Sequence, residues 1–344
     1  MYTPGDDADQ FPIELRKKAR KIEEVAVRRR VEELNAYSEM GDGAVYPPDE
    51  EYFLYGTRTG VAVAYPITPQ SPEWKTVEKH YSWISDAFEV FADLPNPQGF
   101  NLLASHIERT LQAFGISPAP ENTDEPEFAN TVWGYLSSSS TWISHWYGQA
   151  ATQFAEFSDP FEYVVHNQAA AAKVLHTAAT ATAKVYENAR KDVLQVADKT
   201  LAALRGYGDG LGFDLYFTLA ITTAVASFLT TIPTSGTSLP IFFGGIASTA
   251  GLIKDYTDRD SGKSNDSEAQ AVIGGNRVDE IISSMSQELS RLNRLIDQEE
   301  QKVKKILERN YLVVVDSRHE LEAPRPKLAD LTSGPVEPYF TPPH

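Results

Sequence analysis

The chain has no cysteine. That excludes a disulfide framework, thiolate catalysis and cysteine-ligated metal. Its histidines (His80, His106, His145, His166, His176, His319 and His344) are scattered, and no two have the His-x-x-x-His spacing of a helical zinc site. There is no Gly-x-Ser-x-Gly elbow and no phosphate loop. The one glycine-rich stretch, Gly206 to Gly212, has no Lys-Ser/Thr after it and reads as a joint. Paired carboxylates fall only inside charged helices, where a solvated face is the simplest reading. The expectation is therefore a non-enzymatic protein with no cofactor and no metal. Basic residues are also few. Lys and Arg total 31 against 48 Asp and Glu, a net charge of -17, which argues against nucleic acid as a partner. Met1 to Gln10 is polar and acidic and lacks the basic and apolar regions of a Sec signal peptide.

What the chain does have is helical periodicity over most of its 344 residues, enough for one large or two smaller domains. Residues Ile13 to Met40 read as a charged helix with a weak apolar stripe at Ile13, Ile22, Val25, Val27, Val31 and Leu34. Its basic residues interleave with Glu23, Glu24, Glu32 and Glu33, so it reads as a solvated helix. Gly41 to Pro72 reads as loop with one strand-like alternation, Gly60 to Tyr65. Trp74 to Asp93 and Phe100 to Phe114 are predicted helices, the second with Leu103, Ile107 and Leu111 in register. Ser117 to Pro126 is a proline-rich acidic linker.

The stretch from Trp142 to Arg205 is the organising one. At its head is Trp146-Tyr147-Gly148. Gly148 lets the backbone reverse between two helices, and the Trp146 ring can fill the gap at the corner. Phe128 to His145 would be the first arm. Phe161 to Arg205 contains neither proline nor glycine. Ala171, Leu175, Ala178, Thr182, Val185, Ala189, Val193 and Val196 mark one helical face there. Asp159-Pro160 before it suits a kink or a restarted helix.

With Ala150-Ala151 and Phe154 after the glycine, then Pro160-Phe161, Asn167-Gln168 and Tyr186 to Asp192, the segment resembles the WXG family. These are small helical-hairpin proteins exported by type VII secretion in actinobacteria and related Gram-positive bacteria. The resemblance covers roughly Trp83 to Arg205. It implies recognition of the helical pair by the type VII machinery, or a co-secreted helical partner, with Trp146 and Gly148 carrying the turn. It implies a secreted or cell-surface protein, cytoplasmic before non-Sec export. A Tyr-x-x-x-Asp/Glu secretion signal would fall on Tyr256 and Asp260, and Tyr2 to Asp6 and Tyr46 to Glu50 fit the same letters. The chain departs from the family pattern in continuing for more than a hundred residues beyond the second arm.

Leu215 to Ile253 carries no charge. Pro233 to Pro240 divides it into Leu215 to Ile232 and Leu239 to Ile253, an apolar hairpin. It reads as a core or oligomer contact, with Phe228, Leu229, Phe242, Phe243 and Ile246 as the contact residues. Each half is at or below the roughly 20 residues a bilayer-spanning helix needs. A membrane-inserting, pore-forming protein is the alternative function. Asp255 to Ala269 is a charged linker. Then Val278, Ile282, Met285, Leu289, Leu292, Ile296, Val303 and Ile306 form a heptad seam, broken only at Glu299. It calls for a partner face such as Phe161 to Arg205. Tyr311 to Asp316 is β-branched, and Ser317 to His344 reads as an extended tail.

The expected fold is mostly α: an elongated bundle built on a WXG-type hairpin, with an apolar insert and a C-terminal heptad helix. Its segments are residues 1–72, 73–205, 206–267, 268–315 and 316–344. Function would be protein–protein assembly after export, with a homo-oligomer and a membrane contact as further expectations.

Overall fold

The computed structural model describes residues 9–39, 66–113, 149–158, 161–207, 213–223, 269–316 and 318–322. The described residues are mostly helical: α1 (Gln10–Glu39), α2 (Pro72–Tyr81), α3 (Trp83–Ala92), α4 (Pro97–Ala113), α5 (Gln149–Ser158), α6 (Phe161–Gly206), α7 (Val278–Asp316) and a short α8 (Arg318–Leu321). Strands β1 (Phe213–Thr218) and β2 (Gln270–Gly275) pair antiparallel, and a 3-10 turn (Ala220–Thr223) follows β1. The chain divides into two compact units. The first holds Met1–Asn96, Val185–Thr222 and Ser264–Gln298; the second holds Pro97–Lys184, Thr223–Lys263 and Glu299–His344.

In the first unit α1 packs against α2 and α3. Asp9 starts α1 by accepting the Phe11 N–H at 3.2 Å, an N-cap bond. Of the expected stripe of α1, Ile22, Val25, Val27, Val31 and Leu34 are buried, and a second row widens the buried face. That row runs Phe11, Leu15, Ala19, Ile22, Ala26, Arg30, Leu34, in steps of four and three. Ile13 is 58% exposed. The reading of α1 as a solvated helix is thus corrected. Small alanines complete a continuous face, and a charged residue sits in it. From α2 and α3, Val77, Tyr81, Ile84, Phe88 and Phe91 are buried as the periodicity predicts. The single helix expected there is two, divided at Ser82, whose own backbone stays right-handed helical (φ -59°, ψ -24°).

Helix α6 is 46 residues long, about 69 Å at the usual helical rise. Its buried face is set by Val174, Ala178, Val185, Ala189, Val193 and Val196, while Leu175 is 47% exposed. Alanine is the best helix former, which explains how so long a run holds without breaks. Helix α7 buries every position of the heptad seam, the out-of-pattern Glu299 included. Glu299 accepts a 2.6 Å hydrogen bond from Lys302. The helix continues through the β-branched run of Tyr311 to Asp316. The gain of one hydrogen bond per added residue outweighs a weak intrinsic preference.

In the second unit Leu111 of α4 and Ala169 of α6 form a buried cluster with Ile107 and Ala172. Leu103, expected on that face, is 51% exposed, and Ala104 is buried instead. Gln168 donates to the Leu321 carbonyl at 2.7 Å, tying α8 to α6.

The apolar run requires a correction. Its first residues do not begin a helical arm: 215–218 lie in β1 and 220–223 in the 3-10 turn. Phe217, Leu219 and Ile221 are buried there. Residues 224–253 of the run, Gly60 to Tyr65, and the expected first arm of the hairpin lie outside the described residues.

Candidate functional site

Two polar constellations in the first unit stand out, because each buries charge where the surrounding elements are apolar. The first forms around Arg30. Its place on the buried stripe of α1 leaves the guanidinium only 2% exposed. Nη1 donates to Glu33 Oε2 at 2.6 Å, one turn on. Nη2 stands 3.4 Å from Asp279 Oδ2, in the first turn of α7. Glu33 also accepts from the Tyr207 hydroxyl at 2.7 Å and lies 3.7 Å from Arg277 Nε. Asp279 accepts from the Tyr81 hydroxyl, and His80 Nε2 lies 3.7 Å away. Two guanidiniums thus meet two carboxylates where α1, α2, the end of α6 and the start of α7 converge.

Electrostatics follow from that geometry. Burial pushes the Asp279 carboxyl up, but His80, the Tyr81 hydroxyl and the Arg30 charge outweigh it and bring it down to about 2. Burial, with the Asp279 charge beside it, pushes the Tyr81 phenol up out of the range of ordinary titration. Neither Asp279 nor Tyr81 changes its charge near neutral pH, so neither is poised to exchange a proton there. The arrangement holds four elements together; it does not activate a nucleophile.

The second constellation lies on α6, within Tyr186 to Asp192. Asn188 donates to the Ala220 carbonyl at 2.9 Å. Both Asp192 oxygens accept backbone N–H groups, from Ala220 at 2.9 Å and Ile221 at 2.8 Å. Together these two side chains clamp the corner that follows β1. Asp192 is fully buried. Burial raises its carboxyl to about 6 in spite of the two N–H donors and Lys191. On the other side of the same turn, Arg190 Nη1 donates to Asp9 Oδ1 at 2.9 Å, and Nη2 to the Leu94 carbonyl at 2.6 Å. The Phe11 ring lies 4.6 Å from its guanidinium carbon. Three residues of α6, Asn188, Arg190 and Asp192, therefore secure the start of α1, the end of α3 and the 3-10 turn.

None of the candidate site residues chosen from the sequence belongs to either constellation, although Asn188, Arg190 and Asp192 lie within the Tyr186 to Asp192 stretch quoted for the resemblance. Trp146, Gly148, Tyr256, Asp260, Phe228, Leu229, Phe242, Phe243 and Ile246 all lie outside the described residues. The motif residues that follow Gly148 do lie within them. Ala150, Ala151 and Phe154 are on α5, and Phe154 meets Phe157 edge-on at 6.1 Å. Arg30 was missed because it was counted among the charges of α1. Its register with Ile22, Ala26 and Leu34 was the available signal. Asp192 had the same signal, adjacent to Val193 on the buried face of α6.

Among the described residues no group of three His, Asp or Glu side chains could hold a metal ion. Among them, too, no helix is long and apolar enough to cross a membrane. Comparison with protein-family models, with characterised proteins and with solved structures finds no match for this chain.

Proposed function

We propose that the protein is a non-enzymatic helical protein, exported by a type VII secretion machinery, that acts by assembling with other proteins. The observation that carries this reading is the helical state of the chain after the Trp146-Tyr147-Gly148 motif. The residues that follow Gly148 lie on α5, and the proline-free run beyond it is the single helix α6. A rod of this length with an alanine-rich face suits close approach of another helix. The buried polar groups of the first unit support the same reading. They join elements, and the two ionisable groups resolved around Arg30 are tuned away from proton transfer near neutral pH.

On this reading the partners are the export machinery or a co-secreted helical protein. Tyr256 and Asp260 are the candidate signal. The membrane-inserting alternative is weakened by β1, since a spanning helix of about 20 residues cannot begin at Leu215. The test is export from a host carrying Trp146→Ala or Gly148→Val. The expected result is loss of the extracellular protein with its intracellular level maintained. Undiminished secretion of both variants contradicts the proposal.

A further inference from the structure

The β1–β2 ribbon has two edges, and they are treated differently. Leu219 N–H donates to the Ala269 carbonyl at 2.8 Å, continuing the ladder whose partners include Phe217 with Ala271 and Leu215 with Ile273. Antiparallel pairing alternates, so 213, 215 and 217 direct their backbone groups at β2. The backbone groups of Asp214, Tyr216 and Thr218 point the other way. On β2 the outward groups belong to Gln270, Val272 and Gly274.

Each outward residue of β2 is met by a side chain of α7. Arg291 Nη1 donates to the Gln270 carbonyl at 2.7 Å. Val272 N–H donates to Glu288 Oε1 at 3.3 Å, and Gly274 N–H to Ser284 Oγ at 3.2 Å. That edge is closed. Along β1, Asp214, Tyr216 and Thr218 are exposed, and their outward backbone groups have no partner among the described residues. The edge also lacks the features that usually blunt a strand: Asp214 is its only charge, and it has no proline, no lysine and no bulge. Tyr216 is 58% exposed.

We propose that this edge is the contact between two copies of the chain, β1 pairing antiparallel with β1 of the second copy about a two-fold axis at Tyr216. The strand is self-complementary in that register. Tyr216 faces Tyr216 of the other copy, and Asp214 faces Thr218, so the acidic residues are not set opposite each other. The outward N–H and C=O groups of all three residues then find partners. Tyrosine against tyrosine is a favourable cross-strand pair on the exposed face. The result is a four-stranded sheet, β2–β1–β1–β2, whose outer edges are both closed by α7. Two chains of net charge -17 repel at long range, so the association strengthens with salt, the reverse of an ion-pair interface. The pairing rests on the geometry of β1 alone and does not depend on the export reading.

Because the chain has no native cysteine, one introduced thiol reads the register directly. Facing residues in a hydrogen-bonded antiparallel pair have Cα atoms about 5.5 Å apart, within the range a disulfide spans. In this register the two copies of Asp214 lie about 14 Å apart, beyond it. Full-length Tyr216→Cys should cross-link to a dimer on mild oxidation, and Asp214→Cys should do so at least about tenfold less. Sedimentation of the unmodified chain should show a concentration-dependent dimer. Tyr216→Pro should abolish it, since it removes only an outward N–H and leaves the bonds to β2 in place. A monomer at every concentration overturns the proposal. So does a dimer that cross-links equally at both positions or persists in Tyr216→Pro.

Discussion

Two aspartates in the same unit, Asp192 fully buried and Asp279 half-buried, keep a carboxyl within the packed elements in opposite ways. Asp279 has cations and a phenol around it, and its carboxyl falls to about 2. Asp192 has two backbone N–H groups and no facing guanidinium, and its carboxyl rises to about 6. Around Asp279 the hydrogen bonds from His80 and the Tyr81 hydroxyl, together with the Arg30 charge, outweigh desolvation; around Asp192 two backbone N–H bonds and Lys191 do not. The difference also shows which corner is rigidly ionic and which is sensitive to its surroundings. Arg30 and Asp279 stay charged at any moderate pH. The corner after β1, from which the apolar run departs, is held by a group that changes charge near neutrality.

The contrast can be broken most forcefully at Arg30. Arg30→Met leaves Glu33 buried, and Asp279 half-buried, without their shared cation, and removing one partner of a buried pair costs about 3–5 kcal/mol. Arg277 near Glu33 should keep the loss toward the lower end. Urea unfolding reads this as a large drop in the midpoint. A variant as stable as the parent would mean that ionic pairing is not what holds that corner.

A smaller effect, and one with the opposite pH sign, is expected at Asp192. Its folded value of about 6 lies above its ordinary 3.8, so the folded chain binds this proton more tightly. Its stabilising share is complete below about pH 4 and is lost as the pH rises through about 6. Asp279 runs the other way: its share is present above 3.8 and disappears as the pH falls toward about 2. Asp192→Asn removes the titration and keeps an acceptor. Between pH 4 and 7 the parent should lose roughly 1–3 kcal/mol relative to this variant. Parallel stability curves for the two proteins would erase the distinction between the aspartates.

How much of this was legible depends on the range of each interaction. Helix α1, α6 and the heptad face of α7 were readable because their signals repeat every three or four residues within one segment. The charged stripe of α1 was half-legible. Leu15 and Ala26 lie in register with Ile22 and Leu34, but counting charges hid Arg30 among solvated neighbours. The sheet was not legible. Phe213 pairs with Gly275, more than fifty residues later, and nothing local in an uncharged run separates a strand from a buried helix. The constellations were illegible for the same reason. Asp192 and Ala220, or Arg30 and Asp279, are joined only once the helices have packed. The residues chosen for function, Trp146 and Gly148 above all, were chosen on a resemblance, and export is what tests them.

The account turns on the difference between the two aspartates, and carbon-detected NMR titration of the side-chain carboxyls measures it directly. Asp192 should titrate near 6 and Asp279 near 2 in the folded chain. If both titrate together at the ordinary value of 3.8, neither sits among the partners described, and the packing of α1, α6 and α7 around them is wrong.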